Sequence, residues 1–490
     1  MLAFAGGLLG VVLAYLGVPA IVALMPEYSV PHEAVIHVNG MVVLFTFLIS
    51  VTTGILFGMA PALQLAKPGV RDAMQESGRS FTGSAQTGKT RSVLIVAEVA
   101  LTMVLLVSAG IALRGFFALT QTPLGFDSSN VMSFVVEPPE GTHKTWESRR
   151  LYYQKILAAL RTVPGVKSAS VSVAGVPRRI YFQTEFQIAD RPAASAQRTL
   201  VGLIGSDYFS TIHVPLLRGR IFTEGDFDRL MHVAVINEEM RKQFWSDGRD
   251  PIGAVIRVPQ MKFEDSAFVM TPPNFDPAFQ IIGVVATARN QGLHDAPKPA
   301  IYVPYTFVMP PGCAYLIRTA YDPHKFEKTF RERVKSVDPE QPIAQERTLD
   351  EVLSLQERAY PRFSSTLFTI FAAVALLLAA SGIYSVVSFV VTQRTHEFGI
   401  RMALGARACN VLQLVAGMTA KLMLTGIAIG LGGAFALSKI IGGYVEGWDP
   451  KDPVAFIVVT GVMLGVGLLA CWAPAYRAAT IAPMISLRHE

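Results

Sequence analysis

The uncharged run at 367–380 reads LFTIFAAVALLLAA, and it decides the class of fold that this sequence can adopt. It is the centre of a longer apolar stretch, and about 20 mainly apolar residues are enough for a helix to cross a bilayer. Buried helices of a soluble protein would not stay free of charge through several turns in one stretch after another. The sequence therefore predicts an α-helical membrane bundle of six spans, at residues 2–24, 41–63, 92–113, 363–391, 411–441 and 454–475.

Composition supports lipid as a main environment of the chain. Charged residues make up 16% of the 490 residues and apolar residues 51%, whereas an average soluble domain is about 25% charged. Intrinsic disorder is excluded, because it needs low hydrophobicity and high charge. The net charge of +6 does not indicate a nucleic-acid partner, since no clustered basic face with stacking aromatic residues accompanies it.

No pattern of reactive residues points to catalysis or to a cofactor. The three cysteines, Cys313, Cys409 and Cys471, are too few and too far apart for a disulfide framework. Neither they nor the nine histidines have metal-binding spacing. The sequence also lacks a GxSxG nucleophile elbow and a convincing carboxylate pair. We therefore expect a protein that is not an enzyme, with no metal and no cofactor.

One motif resembles a nucleotide site. Residues 83–90 read GSAQTGKT and match the phosphate-loop pattern GxxxxGK[ST]. In a nucleotide-binding enzyme this loop joins a buried strand to a helix, but here polar residues precede it and the third span follows. We interpret these residues as part of a basic cytoplasmic linker at 67–91.

The basic residues between the spans predict the orientation of the chain. Lys and Arg are concentrated in 67–91, in 392–410 and in the C-terminal tail, whereas 25–40 has none and 442–452 has only Lys451. Short loops rich in Lys and Arg stay in the cytoplasm. Both termini are therefore predicted to be cytoplasmic, and 115–362 to be extracytoplasmic, in a multi-pass protein of the plasma (inner) membrane.

The stretch 115–362 has the pattern of a large α+β domain. A strand, a helix and a strand follow one another in 131–173, as in a βαβ unit, and a helix–strand–helix stretch occupies 326–359. We expect two small α+β lobes around a more β-rich insert. The predicted strands are 131–136, 168–173, 200–204, 232–236, 279–285, 300–303 and 315–317, and the predicted helices are 146–162, 238–245, 326–337 and 349–359.

Two charged residues lie inside the predicted spans. Glu98 is about two turns into the third span, where a carboxylate is a functional candidate by default, although it could also be hydrated or paired near the cytoplasmic surface. Lys421 lies at a similar depth in the fifth span, so it could contact Glu98 or extend to the interface. Glycines four residues apart allow helices to approach closely or to meet a second copy, and they occur at 6/10, 426/430 and 461/465.

An internal repeat and a loop motif carry a family resemblance. Residues 60–66 (APALQLA) match 473–479 (APAYRAA), so the first two spans repeat the last two. The loop 394–406 reads RTHEFGIRMALGA and resembles the R-x-x-E-x-G-I-R-x-A-x-G-A loop of the MacB/FtsX-like ABC permeases. Exterior stretches at 205–209 (GSDYF), 217–220 (LRGR), 250–253 (DPIG) and 281–285 (IIGVV) are similar to that family's periplasmic core domain. The chain most resembles the duplicated "orphan" permeases, and we expect that an N-terminal part is missing.

The resemblance implies a domain plan and a docking loop. The implied parts are the last two spans of an incomplete first unit (1–66), a linker (67–91), span three (92–114), the MacB-type exterior domain (115–362) and a three-span permease domain (363–490) with a coupling loop at 392–410. In the family this loop contacts a cytoplasmic ABC ATPase. The implied docking residues are Arg394, Glu397, Gly399, Ile400, Arg401, Ala403, Gly405 and Ala406.

Three functions remain open on the sequence alone. The first is an ABC permease subunit that couples ATP hydrolysis by a partner to movement of the exterior domain, for efflux or release of a substrate (mechanotransmission). The second is a signalling or scaffold protein that controls an exterior partner such as a cell-wall hydrolase. The third, a secondary transporter, is disfavoured by the scarcity of charges inside the spans. The expected partners are the ATPase, membrane lipid and a second permease copy or unit.

Overall fold

The computed structural model describes residues 2–26, 36–65, 84–174, 182–189, 191, 197–262, 269–289, 296–393, 408–442 and 452–479. The chain divides into a helical unit, Met1–Ala118 with Ala359–Glu490, and a mixed unit, Leu119–Arg358. In chain order the helices are α1 (Leu2–Leu24), α2 (Gly40–Leu65), α3 (Ser84–Gln121), α4 (Trp146–Arg161), α5 (Tyr208–Thr211), α6 (Glu224–Asp228), α7 (Glu238–Phe244), α8 (Glu327–Val337), α9 (Leu349–Leu353), α10 (Ala359–Gln393), α11 (Ala408–Ile441) and α12 (Pro453–Ala479).

The helical unit has helices at all six predicted spans, but the span count is only partly supported. Five helices are long and apolar enough to cross a membrane. In α2 only the part Gly40–Ile55 has described side chains, and this apolar part is shorter than a span requires. Six spans therefore remain a prediction. Residues 84–90 of the phosphate-loop pattern lie inside α3 and not in a strand-to-helix loop.

The helices of this unit form two groups. The first is the hairpin of α1 and α2, in which Phe4 and Phe47 meet edge to face at 5.5 Å. The second is a bundle of α3, α10, α11 and α12 around a shared apolar core. Most other side chains of these helices are exposed and apolar, as lipid-facing positions should be. The described core of the bundle includes no residue of α1 or α2.

The mixed unit is built on one large sheet. Its strands are β1 (Val131–Val136), β2 (Val166–Ala174), β3 (Phe182–Ile188), β4 (Gln197–Ile204), β5 (Leu216–Gly219), β6 (Val233–Asn237), β7 (Val255–Arg257), β8 (Ala278–Val285), β9 (Ala300–Pro304), β10 (Cys313–Thr319) and β11 (Ala344–Thr348).

Two interleaved βαβ units form one end of this sheet. The strand order is β11-β1-β10-β2, and each neighbouring pair is antiparallel. The unit β1-α4-β2 thus encloses β10, and the unit β10-α8-β11 encloses β1, which is the split βαβ arrangement of ferredoxin-like folds. The predicted βαβ unit is confirmed. The two predicted lobes instead share one sheet, because β1 and β10 each pair with strands from the other half.

The insert between β2 and β10 forms a closed ring of strands. From β4 the ring passes through β3, β7, β8, β6 and β9, and β9 pairs with β4 again. Strand β4 also pairs with β2, so it joins the ring to the split βαβ sheet. This ring is the β-rich insert that the sequence predicts. All seven predicted strands are present, and β11 is the strand of the predicted helix–strand–helix stretch at 326–359, whereas β3, β5 and β7 were not predicted.

Candidate functional site

Helix α3 meets each of the other three bundle helices through a close approach at a glycine. The clearest case is Gly430 of α11, where a Cβ atom would lie 2.5 Å from Cβ of Met103 and 2.7 Å from the carbonyl oxygen of Ala100. One turn earlier, a Cβ at Gly426 would lie 2.8 Å from Cβ of Val99. The pair 426/430 is therefore a backbone-to-backbone contact of the type predicted from its spacing.

The other two glycine pairs make no such contact. A Cβ at Gly6, Gly10, Gly461 or Gly465 would have no neighbour within 4 Å among the described residues. In α1 the contact with α2 lies instead at Gly7, which packs on the ring of Phe47. Small residues at this spacing permit a close approach of two helices, but the spacing does not determine whether another helix packs there.

Glu98 of α3 packs on α10 and not on α11. A Cβ at Gly382 would overlap its carboxylate, so the glycine leaves the space that this side chain fills. One turn further along α3, Thr102 donates a hydrogen bond of 3.3 Å to the carbonyl oxygen of Ala375 in α10. Glu98 is half-buried. It is thus part of the contact between α3 and α10.

The possible contact between Glu98 and Lys421 is not present. Lys421 is exposed, and no ion pair within 4.0 Å joins it to Glu98, although both residues are described. The physical reason is the direction of the side chains around α3. The carboxylate faces α10, whereas α11 meets α3 through Gly426 and Gly430. The exposed position of Lys421 fits the alternative in which its stem extends to the interface.

At the other end of α3 an ion pair and a third glycine join it to α12. Arg114 pairs with Asp452, whose Oδ1 also accepts a hydrogen bond of 3.0 Å from the backbone N–H of Val454 in the first turn of α12. A Cβ at Gly110 would lie 3.3 Å from Val459. Helix α3 is therefore held by contacts distributed between residues 98 and 114.

A small gap remains in the bundle near Glu98. It has a volume of about 40 Å³ and is lined by α3, α10 and α11, through Ile95, Ile383, Val387, Met418 and Leu422 among others. Apolar cavities of this size stay dry.

The predicted coupling loop lies outside the described residues. This applies to Arg394, Glu397, Gly399, Ile400, Arg401, Ala403, Gly405 and Ala406. Its neighbours are described, since α10 ends at Gln393 and α11 begins at Ala408. The loop therefore joins two helices that both pack on α3.

Within the mixed unit, Arg318 is the centre of a buried polar network that sequence reasoning missed. Its guanidinium donates to the carbonyl oxygens of Thr211 at 2.6 Å, Ser129 at 2.8 Å and Asp127 at 2.7 Å, and its Nη1 pairs with the Asp127 carboxylate at 3.1 Å. The Arg318 side chain is only 6% exposed. The network ties β10 to α5 and to the segment that enters β1. The sequence marks Arg318 only as a polar residue that directly follows the predicted strand 315–317.

The same network makes Asp127 a stronger acid. Partial burial would raise its pKa, but hydrogen bonds from Ser129 and the charge of Arg318 outweigh burial and lower the pKa of Asp127 to about 2. A carboxylate with a depressed pKa stabilises the fold above its ordinary pKa of 3.8, and this contribution is lost as the pH falls through about 2.

We expect an acid-dependent loss of stability that involves Asp127. The free energy of unfolding, measured by thermal denaturation, should fall by about 1 kcal/mol between about pH 4 and pH 2. This value allows for solvent screening, because the Asp127 side chain is 41% exposed. Asp127→Asn should remove this part of the pH dependence. Asp276→Asn is the matched control, because Asp276 pairs with Arg257 at 2.7 Å but is 57% exposed. An unchanged acid profile in Asp127→Asn would contradict the assignment.

The described residues contain no group of three or more His, Cys, Asp or Glu side chains able to hold a metal ion. What their arrangement offers is mechanical. Three helices are packed closely on a fourth, and the contact of α11 with α3 occurs at backbone level, where rotamer changes cannot relieve a displacement.

Two protein-family models match this chain. Residues 92–333 match "MacB-like periplasmic core domain", and residues 369–483 match "FtsX-like permease C-terminal". The first covers α3 and most of the mixed unit, and the second covers α10, α11 and α12.

Curated relatives include the macrolide export ATP-binding/permease proteins MacB of Shigella sonnei (strain Ss046) and Escherichia coli (strain K12). Each is 26% identical over 346 residues, which is 68% of this chain and 48% of the relative. The chain thus spans about half the length of the curated relatives it matches.

Among solved structures, the periplasmic region of MacB from Actinobacillus actinomycetemcomitans is similar over 48% of this chain and 95% of that one, with 17% identity and a TM-score of 0.31. The extracellular domain of the noncanonic ABC-type transporter YknZ from Gram-positive bacteria is similar over 42% of this chain and 91% of that domain, with 14% identity and a TM-score of 0.27. At these scores the overlap adds nothing to the topology described above.

Proposed function

Since the chain belongs to the MacB/FtsX-like family of ABC permeases, and is a multi-pass membrane protein with an extracytoplasmic domain, we propose that it transmits the work of a partner ATPase across the membrane. In this proposal the ATPase binds the loop between α10 and α11. The bundle then moves as a near-rigid body, and the extracytoplasmic domain changes posture to export or release a substrate. The chain itself is not catalytic.

The close packing of α10, α11 and α12 on α3 is the observation that supports this proposal. A push at the loop reaches α10 and α11 together, and both meet α3 at positions where a single added Cβ atom would overlap a neighbour. Helices α3 and α10 are also those that precede and follow the extracytoplasmic domain in the chain. The backbone contact of α11 with α3 passes on a displacement, because no side-chain rotamer can absorb it.

A separate source of energy fits the division of labour in the relatives. Their names combine an ATP-binding part with a permease part, and the two family models that match this chain describe a periplasmic core domain and a permease domain. The phosphate-loop pattern of this chain lies largely within α3. We therefore assign ATP hydrolysis to a cytoplasmic partner.

The test is copurification of an ATPase with loop variants. Glu397→Lys and Gly399→Trp should reduce the amount of ATP-binding subunit that copurifies from native membranes severalfold, because a docking surface is sensitive to reversed charge and to added bulk. Thr395→Trp is the matched control, since it adds the same bulk at a position that the family motif leaves variable.

Two results would count against the proposal. One is full copurification and full stimulation of the ATPase with Gly399→Trp. The other is the absence of any ATP-binding subunit in membranes that contain the parent chain.

A macrolide is the first compound to test for export, because the relatives are named for macrolide export.

A further inference from the structure

The segment that leaves the extracytoplasmic domain begins with a reciprocal helix cap. Thr348 ends β11, and its Oγ1 accepts a hydrogen bond of 3.3 Å from the backbone N–H of Glu351 in α9. In return, Oε2 of Glu351 accepts one of 2.7 Å from the backbone N–H of Thr348. After α9 the chain passes through a π-helical turn, Ser354–Arg358, into α10. The stability of α9 therefore depends on the Glu351 side chain.

A histidine from another element faces the second oxygen of Glu351. The Nε2 atom of His324 lies 3.3 Å from Oε1 of Glu351, and its Nδ1 lies 2.7 Å from Oε1 of Glu327 in the first turn of α8. The backbone N–H of His324 donates to Asp322 at 3.1 Å. A neutral imidazole can donate from only one ring nitrogen, whereas the protonated ring donates from both. Only protonated His324 can bind α8 and α9 at once.

Acidic groups surround this histidine on every element that packs there. Glu327 also binds Arg331 at 3.3 Å, and Arg331 binds Oε2 of Glu346 on β11 at 2.6 Å. The Glu346 side chain is only 8% exposed, and its Oε1 is buried with no hydrogen-bond partner. The carboxylates of Asp322, Glu327, Glu346 and Glu351 thus face His324 and Arg331. When the imidazole loses its proton, the excess of negative charge in this cluster increases.

His324 and Glu346 both contribute less stability to the fold as the pH rises. The hydrogen bond to Glu327, together with the nearby carboxylates, raises the pKa of His324 above its ordinary 6.5. Its stabilising effect is complete below pH 6.5 and is lost as the pH rises through the raised value. Burial raises the pKa of Glu346 above its ordinary 4.5. Ionisation of Glu346 at higher pH therefore also costs stability.

We infer that His324, Glu327 and Glu351 form a pH-sensitive clamp that holds α9 against α8 when the imidazole is protonated and loosens as the extracytoplasmic pH rises. The clamp acts on the short helix through which the chain returns to the membrane unit. A mildly acidic exterior thus favours an ordered exit segment, and an alkaline exterior favours a frayed one. This regulation is additional to the proposed coupling and does not require an ATPase.

Hydrogen–deuterium exchange of the full chain in lipid nanodiscs tests the clamp. After correction for intrinsic exchange rates, protection of the amides in α9 should fall about threefold between about pH 6 and about pH 8, since His324 and Glu351 are each 46% exposed and such pairs are weak. His324→Gln should show the lower protection at both pH values. Glu351→Gln keeps an oxygen for the helix cap but loses the charge, so it should also flatten the pH dependence.

The controls separate the clamp from general effects of pH. His213→Gln removes another histidine that faces a carboxylate, at 3.1 Å from Asp127, and it should leave the pH response of α9 intact. Peptides from α4 should show no matching change in any variant. If the parent chain shows equal protection at both pH values, or if His324→Gln and Glu351→Gln keep the parent's pH dependence, the clamp does not exist.

Discussion

Replacement of Gly430 by leucine is expected to disrupt the bundle and to abolish coupling. The new side chain would meet Met103 and the backbone of Ala100 in α3, where Cβ alone would lie 2.5 Å and 2.7 Å from its neighbours. Because one of these contacts is to backbone, a rotamer change cannot make room. Helix α11 would have to move away from α3, at a cost of about 3 kcal/mol or more.

Gly432→Leu is the matched control for this prediction. It lies two residues further along the same helix, and a Cβ there has no neighbour within 4 Å in the part of the chain that the structure describes. Leucine is a better helix former than glycine by about 1 kcal/mol, so Gly432→Leu should be neutral or slightly stabilising. The measurement is the thermal stability of both variants in detergent, followed by their stimulation of the ATPase. Equal melting temperatures for the two variants would refute the packing on α3.

Arg318→Met should destabilise the extracytoplasmic domain more than any exposed substitution. The change leaves three carbonyl oxygens and the Asp127 carboxylate without their donor. Loss of one partner of a buried pair costs about 3–5 kcal/mol, and the lower end applies because Asp127 is 41% exposed. For a domain of this size, about 3 kcal/mol corresponds to a fall of about 6–12 °C in Tm.

The control for Arg318→Met is Arg257→Met. Arg257 pairs with Asp276 at 2.7 Å, but the two side chains are 49% and 57% exposed, so its loss should cost less than about 1 kcal/mol. Unfolding can be followed by exchange of amides in α4 and β10 of the full chain. A shift no larger than that of Arg257→Met would mean that the Arg318 network contributes little.

The spans and the main strands are predictable because each rests on a local property. Apolar length alone predicts α1, α10 and α12, and short runs rich in Val, Ile and Phe predict β1 and β8. Strand β5 lacks a local signal, because it is exposed at every residue. Strand β11 reads AQERT, is polar after Ala344 and was expected only as the strand between two helices. Strand β3 reads FQTEFQI and was missed although it alternates. The pairing of β11 with β1 and of β5 with β8 is a tertiary property, which a single sequence does not reveal.

The contacts between the helices of the bundle also could not be predicted from the sequence alone. Gly426/Gly430 and Gly461/Gly465 have identical spacing, but only the first pair meets another helix within the described residues. The depth of Glu98 in its span is visible in the sequence, whereas the helix it faces is not. Asp452 was also missed, although an aspartate just before Pro453 is a pattern that often starts a helix. The coupling residues still rest on the family motif.

The closed ring of β3, β4, β6, β7, β8 and β9 limits how copies of this protein can associate. A strand bonded on both sides offers no row of free amide and carbonyl groups to a neighbouring molecule. Domains crowded on a cell surface therefore cannot polymerise through this ring. Among the described strands, addition of a further strand is confined to the outer sides of β5 and β11, and on β11 the charges of Glu346 and Arg347 oppose it.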